Sequence, residues 1–356
     1  MGSRWAAERL IQRVTALDEA RLESHAYRRE VLEELSASIG HEAWVWPLAD
    51  PITTVGISPM AQVPGTAELP LLITLKYATA LNRWTTLPAA PARAVSLAAA
   101  TDGELSRSES WAGVLRRHSI TDVLSIVFAD RWGTWGWLDL WRGHGDGVFT
   151  AAEAEQLSSL APAITAGLRH CSARQFQAGN GGAAPPHPQA VLVLAENLGI
   201  ISQTETANLW LELLQPGPRP HQGIPAEVLN VAAQLLAQER GIDAHPAGSL
   251  VHVGSGVWAR LSATRMNTPA DRAPAPIAVT IQDALPAERM AVFGRCFALS
   301  PRESQLLGLA ASGLDTAALA RALGIGRYTV QDDFKSLFAK CGVQSRGALV
   351  AMAAGH

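Results

Sequence analysis

Apolar and polar positions follow two rhythms along this chain, and the rhythm changes several times. From Arg4 to Ile39 the apolar residues recur at helical intervals: Leu10, Val14 and Leu17, then Val31, Leu35 and Ile39. That predicts a helical segment over residues 1–39. Two apolar runs follow, AWVWPLA (43–49) and ITTVGIS (52–58), and they read as strands around an Asp50-Pro51 turn. Residues 69–82 and 108–118 read as helices. Residues 122–129 and 135–142 read as a strand pair, whose connector DRWGT holds a glycine suited to a hairpin. A further helix starts at Thr150, where Glu153 completes a capping box, and runs towards Arg169.

The pattern then stops. Residues 177–189, QAGNGGAAPPHPQ, carry no periodicity and form the clearest linker in the chain. Beyond it, 190–196 and 199–203 read as paired strands. Residues 204–214 form a helix with Thr204 as its cap, and 225–241 a second helix closed by Gly241. Residues 249–253 and 257–266 make a hairpin around Gly254-Ser255-Gly256, and 276–284 a last strand. The blocks 40–176 and 190–284 thus share a plan of strands, helices, then strands. That predicts two α+β domains, each an antiparallel sheet with helices packed on it.

The block 285–356 is all helical. Ser300-Pro301-Arg302-Glu303 supplies an N-cap, a first-turn proline and the glutamate of a capping box. Leu306, Leu307 and Ala310 give the first helix an apolar face, and Gly313 ends it. Asp315 caps a second helix, Gly324 closes it, and a third runs from about Arg327 to Cys341; a fourth follows Ser345. Two short helices feeding a third across a tight turn make a helix-turn-helix. On the third helix Val330, Phe334, Leu337, Phe338 and Cys341 share one side, while Tyr328, Gln331, Asp332, Lys335, Ser336 and Ala339 share the other.

With its Ser-Pro-Arg-Glu start, Thr329-Val330 entry to the third helix and Gly342-Val343-Gln344-Ser345-Arg346 exit, this block resembles the DNA-binding domain of the LuxR/GerE family of bacterial transcription regulators. The resemblance implies that Arg327, Thr329, Gln331, Asp332 and Lys335 face duplex DNA. It implies that Thr316 and Arg346 sit near phosphates, and that Ala348 to Met352 line a dimer seam. Family members often carry lysine where Gln331 stands and histidine where Asp333 stands, and Gly326 replaces the usual serine cap. Glutamine can bond bidentately to adenine and aspartate can accept from cytosine N4, so Gln331 and Asp332 read as specificity residues. Asp333 points nearer the core edge and reads as bonding within the domain.

Charge changes the picture little. The 356 residues carry a formal net charge of −3, so no global basic field draws nucleic acid to the chain. From Gly294 onward seven cations oppose four acids, a local balance of +3 that leaves −6 for the rest. Hydrophobic residues make up 48%, enough for real cores, yet no apolar run reaches the length of a membrane span. The first residues lack a signal-peptide core. Cys171, Cys296 and Cys341 are dispersed and odd in number, which argues against a disulfide framework or a zinc knuckle and fits a reducing cytoplasm. His144-Gly145-Asp146-Gly147 reads as a turn and Gly179-Asn180-Gly181-Gly182 precedes no helix. No paired nucleophile and base is evident, so the chain does not read as an enzyme, and no cofactor or metal is required.

Element order, and the strand WGWLDLWRG followed by FTAAEAEQLSSLAP, resemble a GAF domain over 40–176 and a PAS domain over 190–284. Such domains hold a small ligand between sheet and helices, or serve only as dimerising or partner-binding connectors. Eight of the eleven tryptophans lie between Trp44 and Trp141. By the period of two, Trp44 and Trp46 share one strand face, and Trp135, Trp137, Asp139 and Trp141 share another. Two readings stand side by side. Trp44, Trp46, Trp84, Trp137 and Asp139 line a ligand pocket, since indole faces and a carboxylate suit a cation or a hydroxyl; or they form a tryptophan-rich core with Asp139 paired to Arg83 or Arg131. Together these features predict a cytoplasmic, homodimeric, one-component regulator of transcription with a possible effector site. The alternatives are assembly-only sensor parts or a redox-active sensor.

Overall fold

The computed structural model describes residues 2–89, 93–143, 145–177, 186–215, 223–267 and 275–355. Most of the expected linker, its GNGG stretch, and His144 of the HGDG turn lie outside the described residues. Helices α1 (Gly2–Glu19) and α2 (Ser24–Ser36) precede strands β1 (Ala43–Ala49) and β2 (Gly56–Gln62). Then come α3 (Leu69–Ala78), β3 (Ala94–Ser96), α4 (Leu97–Ala100), α5 (Glu109–Gly113), β4 (Ile120–Asp130), β5 (Gly133–Gly143) and the long α6 (Ala151–Gln177). The second unit holds β6 (Ala190–Leu194), β7 (Ile200–Gln203), α7 (Ala207–Leu214), α8 (Ala226–Glu239), β8 (Gly248–Gly254), β9 (Val257–Arg265) and β10 (Ile277–Asp283). Five helices follow: α9 (Pro286–Cys296), α10 (Pro301–Ala311), α11 (Thr316–Leu323), α12 (Arg327–Cys341) and α13 (Arg346–Ala354).

The two sheets are antiparallel and built alike, with orders β2-β1-β5-β4-β3 and β7-β6-β10-β9-β8. Counted within each unit, both read 2-1-5-4-3. In the first sheet Trp46, Leu124, Ile126, Phe128, Leu138 and Leu140 are buried together with Leu157, Leu160 and Ile164 of α6. The opposite face carries Trp137, Asp139 and Trp141 and is roofed by α3 and α5. In the second sheet Leu192, Val279 and Leu261 meet Val228, Ala232 and Leu236 of α8. The far side of α8 touches α3 and β2, so this helix is shared between the two units.

Polar groups tie that junction. The backbone N–H of Leu250 donates to Asp50 Oδ2 (2.7 Å), that of Ser58 to Glu227 Oε1 (3.0 Å), and Asn230 Nδ2 to the Gly56 carbonyl (2.9 Å). Asp50 and Glu227 are fully enclosed, and burial pushes both carboxyls upward against those backbone donors.

Several expectations need correction. The strand placed at 52–58 begins only at Gly56, because Asp50 Oδ1 accepts from the Ile52 and Thr53 backbone N–H groups and holds 50–54 as a turn. The helix 69–82 stops at Ala78, and 108–118 breaks into α5 and a 3-10 turn, Leu115–His118, that ends at left-handed Ser119. Thr204 does not cap α7; its hydroxyl accepts from the Val191 N–H, and Thr206 takes the cap position. Strand β3 and helix α4 went unread, and α9 adds a fifth helix to the block expected to have four. Trp135 does not share a face with Trp137. Phe128 pairs with Gly136 and Ala129 with Thr134, so Trp135 is the extra residue of a β-bulge and turns to the α6 side. Glycine is needed at 136 because a Cβ there would lie 2.7 Å from the Pro47 carbonyl oxygen.

The capping box at Thr150 and Glu153 is made, with donors at 3.2 and 2.8 Å, and it starts α6. At the other end of that helix Phe176 stacks on Trp258 of β9 (4.5 Å between ring centroids) and meets Phe293 of α9 edge-on (5.3 Å). Helix α6 therefore touches both sheet units and the carboxy-terminal helices.

Candidate DNA interface and a cleft between the two sheets

Local sequence dictates how the carboxy-terminal helices are held. Ser300 Oγ accepts from the Glu303 N–H (3.2 Å) and Glu303 Oε2 from the Ser300 N–H (2.7 Å), the reciprocal cap expected of this motif. Glu303 also receives Lys340 Nζ (2.7 Å) and the Ser336 hydroxyl (2.9 Å), which pins α12 to the start of α10. Burial alone would raise this carboxyl, but the hydrogen bonds from Lys340, Ser300 and Ser336 hold it down to about 2. Asp315 Oδ1 accepts from the Ala318 N–H at 2.7 Å and caps α11, which Gly324 closes in the left-handed conformation at φ +65°.

On α12 the inward residues Val330, Phe334, Leu337 and Cys341 are all buried. Arg327, Tyr328, Thr329, Gln331, Asp332 and Lys335 are all exposed among the described residues. The outer side is therefore free to enter a groove.

The acids divide the cations between them. Lys335 Nζ pairs with Asp332 Oδ1 at 2.9 Å on the exposed side. Asp333 turns inward and pairs with Arg302 of α10 at 2.8 Å, a bond within the domain. Arg346 donates to the Ala310 carbonyl (2.8 Å) and lies over the Phe334 ring, at the junction of α10, α12 and α13. Thr316, the first residue of α11, is half-buried. On α13, Leu349 is inside the domain core, Ala348 is exposed, and Val350 to Met352 are half-buried. Tyr328, 84% exposed at the first turn of α12, belongs to the same surface. The helical period already put it there.

The amino-terminal residues form a second site. A cleft of about 1080 Å³ runs between α3 and the first sheet and continues to α8 and β8 of the second unit. It contains Trp137 and Asp139; Trp84 stacks behind Trp137 at 4.2 Å and donates its indole N–H to the Thr54 carbonyl at 2.9 Å. Trp44 and Trp46 are on the opposite face of the sheet, Trp46 against Phe128, because β1 alternates and presents Val45 and Pro47 to the cleft. Trp46 is buried in that core and Trp44 packs against it partly buried, and neither lines the cleft. Asp139 pairs with neither Arg83 nor Arg131. Its partners are Lys76 of α3 (2.8 Å) and the Ser125 hydroxyl (2.6 Å). The signal for Lys76 was its place as the one charge in the apolar run LPLLITLKYA.

Cys171 has Arg174 beside it at 2.9 Å, a neighbour the sequence did not predict, yet burial still pushes its thiol up to about 11. Burial thus favours the thiol over the thiolate at this position. Among the described residues no helix is long and apolar enough to cross a membrane.

A comparison with curated proteins finds no match to this chain. Residues 298–353 match the family model of bacterial regulatory proteins, luxR family (GerE), and the match spans α10 to α13 with the exposed side of α12 at its centre. The carboxy-terminal part of this chain is a LuxR-family helix-turn-helix domain, whose partner is DNA and whose field is the regulation of transcription.

Proposed function

We propose that the chain is a cytoplasmic, one-component, sequence-specific regulator of transcription that acts as a homodimer and responds to a small molecule held by its amino-terminal part. The observation that carries this reading is the open outer side of α12 within a luxR-family domain. Gln331 and Asp332 choose bases there, Lys335 adds the local positive charge, and Arg327, Thr329, Thr316 and Arg346 contribute around them. The GAF-like and PAS-like assignments draw support from the repeated 2-1-5-4-3 sheet order and from the helices packed on each sheet. The cleft against the first sheet favours a sensing role over a purely structural one. We assign no catalytic step to any residue. Paired half-sites about one helical turn apart, or a multiple of it, are expected for the dimer.

Genome-wide binding of the wild type and of Gln331→Ala tests the reading. The variant is expected to lose preference at one base position, a discrimination of roughly 1–3 kcal/mol. An unchanged motif and affinity would remove Gln331 from the interface, and no sequence preference in the wild type would remove the function.

A further inference from the structure

Tyr328 stands apart from the other two tyrosines of the chain. Tyr27 and Tyr77 are buried at 0% and 1% exposure, whereas Tyr328 is 84% exposed. Among the described residues no large apolar side chain is more exposed, and Ile201 follows at 59%. Neither the ring nor the hydroxyl of Tyr328 has a partner among the described residues. The ring thus adds little to the fold, and its apolar surface remains for a contact made on binding.

Its place on α12 narrows what that contact is. Gln331, Asp332 and Lys335 lie three, four and seven residues further on, so the four side chains form one stripe along the outer side of the helix. Within the stripe Lys335 and Asp332 pair at 2.9 Å and neutralise each other. The uncharged members, Tyr328 and Gln331, keep side chains without a partner among the described residues. Tyr328 is the second residue of α12. In a helix-turn-helix the N-terminal residues of the recognition helix are the ones that meet base edges in the major groove. The apolar group presented there is the C5-methyl of thymine, and apolar and aromatic side chains are what contact it. Three residues of helix rise about 4.5 Å, and bases along one strand are about 3.4 Å apart. Tyr328 and Gln331 therefore reach bases within about two steps of each other.

We propose that Tyr328 is a specificity-determining residue whose ring packs on the C5-methyl of a thymine, within about two base steps of the adenine read by Gln331. This deepens the DNA-reading role proposed above and rests on it.

The test lets the full wild-type chain select a duplex from a random pool. Each thymine of the selected site is then replaced in turn by deoxyuridine, which removes the methyl group and nothing else. Wild-type binding is expected to weaken about fourfold at one thymine of each half-site, the worth of one buried apolar carbon group, and to hold at the others. Tyr328→Phe keeps the ring and should keep that dependence. Tyr328→Ala should bind the selected site about tenfold more weakly and ignore the same uracil. It should match wild type on a random duplex and in thermal melting, because the side chain it removes is exposed. A wild type indifferent to every uracil, an unchanged uracil profile in Tyr328→Ala, or an equal loss in the Phe and Ala variants would each overturn the proposal and leave the regulator reading in place. Selection of no motif by the wild type would overturn that reading and this proposal together.

Discussion

Arg83 and Asp243 form an ion pair across the junction of the two sheet units, Nε to Oδ2 2.8 Å, with side chains only 1% and 3% exposed. Arg83 also donates to Gln234 Oε1 (3.2 Å), and Asp243 also accepts from Thr85 Oγ1 (2.8 Å) and the His245 N–H (2.8 Å). Removing one partner leaves the other charge buried. Asp243→Ala is therefore expected to cost about 3–5 kcal/mol, the range for breaking a buried pair. Urea denaturation followed by fluorescence checks this. The wild-type units should unfold together, and separate transitions in the wild type would show that the junction does not couple them.

Asp332 holds Lys335 in the free protein, and both side chains are largely exposed. Asp332→Ala frees that ammonium for phosphates. Non-specific affinity should rise, and the slope of log K against log salt should steepen by up to about 1. The same variant should relax preference at one base position. Mobility shifts over a salt series, on specific and random duplexes, separate the two effects.

Asp333 gives the contrast, since its partner is Arg302 within the domain. Asp333→Ala is expected to lower stability by only about 0–1 kcal/mol, as exposed pairs do, and to leave base preference unchanged. A changed motif in a binding-site selection would show that this carboxylate reaches DNA.

Glu303 makes the carboxy-terminal domain sensitive to acid. Its folded-state carboxyl is held down to about 2 despite burial. An unfolded glutamate titrates near about 4.3. Because the folded value is depressed, the stabilisation is complete above that unfolded value and is lost as pH falls towards about 2. Glu303→Gln should cost about 2 kcal/mol at neutral pH, and the gap to wild type should narrow through that acid window. Thermal melts across a pH series measure it, and a constant gap would contradict the assignment.

The carboxy-terminal domain was legible because its signals are local. Ser300 and Glu303, Asp315, Gly324 and the apolar stripe of α12 each declare themselves within four residues. The inward turn of Asp333 followed from the helical period alone. The amino-terminal site was less legible because its geometry is non-local. One extra residue at Trp135 reverses strand alternation, and no rhythm in the sequence marks it. Trp44 and Trp46 looked like pocket residues because an aromatic strand face reads the same whichever layer covers it. The junction groups Arg83, Glu227 and Asn230 have the composition of a surface, and only the packing of α8 on α3 encloses them.

Helix α6 has a consequence for how operators are measured out. Twenty-seven residues of α-helix span about 40 Å, and Phe176 at its far end is wedged between Trp258 and Phe293. The reading head is thus mounted on a strut, not hung from a string. In a pair of chains, the reach between the two heads is set by the angular phase and length of that strut. Inserting one residue before Phe176 would swing the mount by about 100°, a rotation that a flexible tether would absorb without notice.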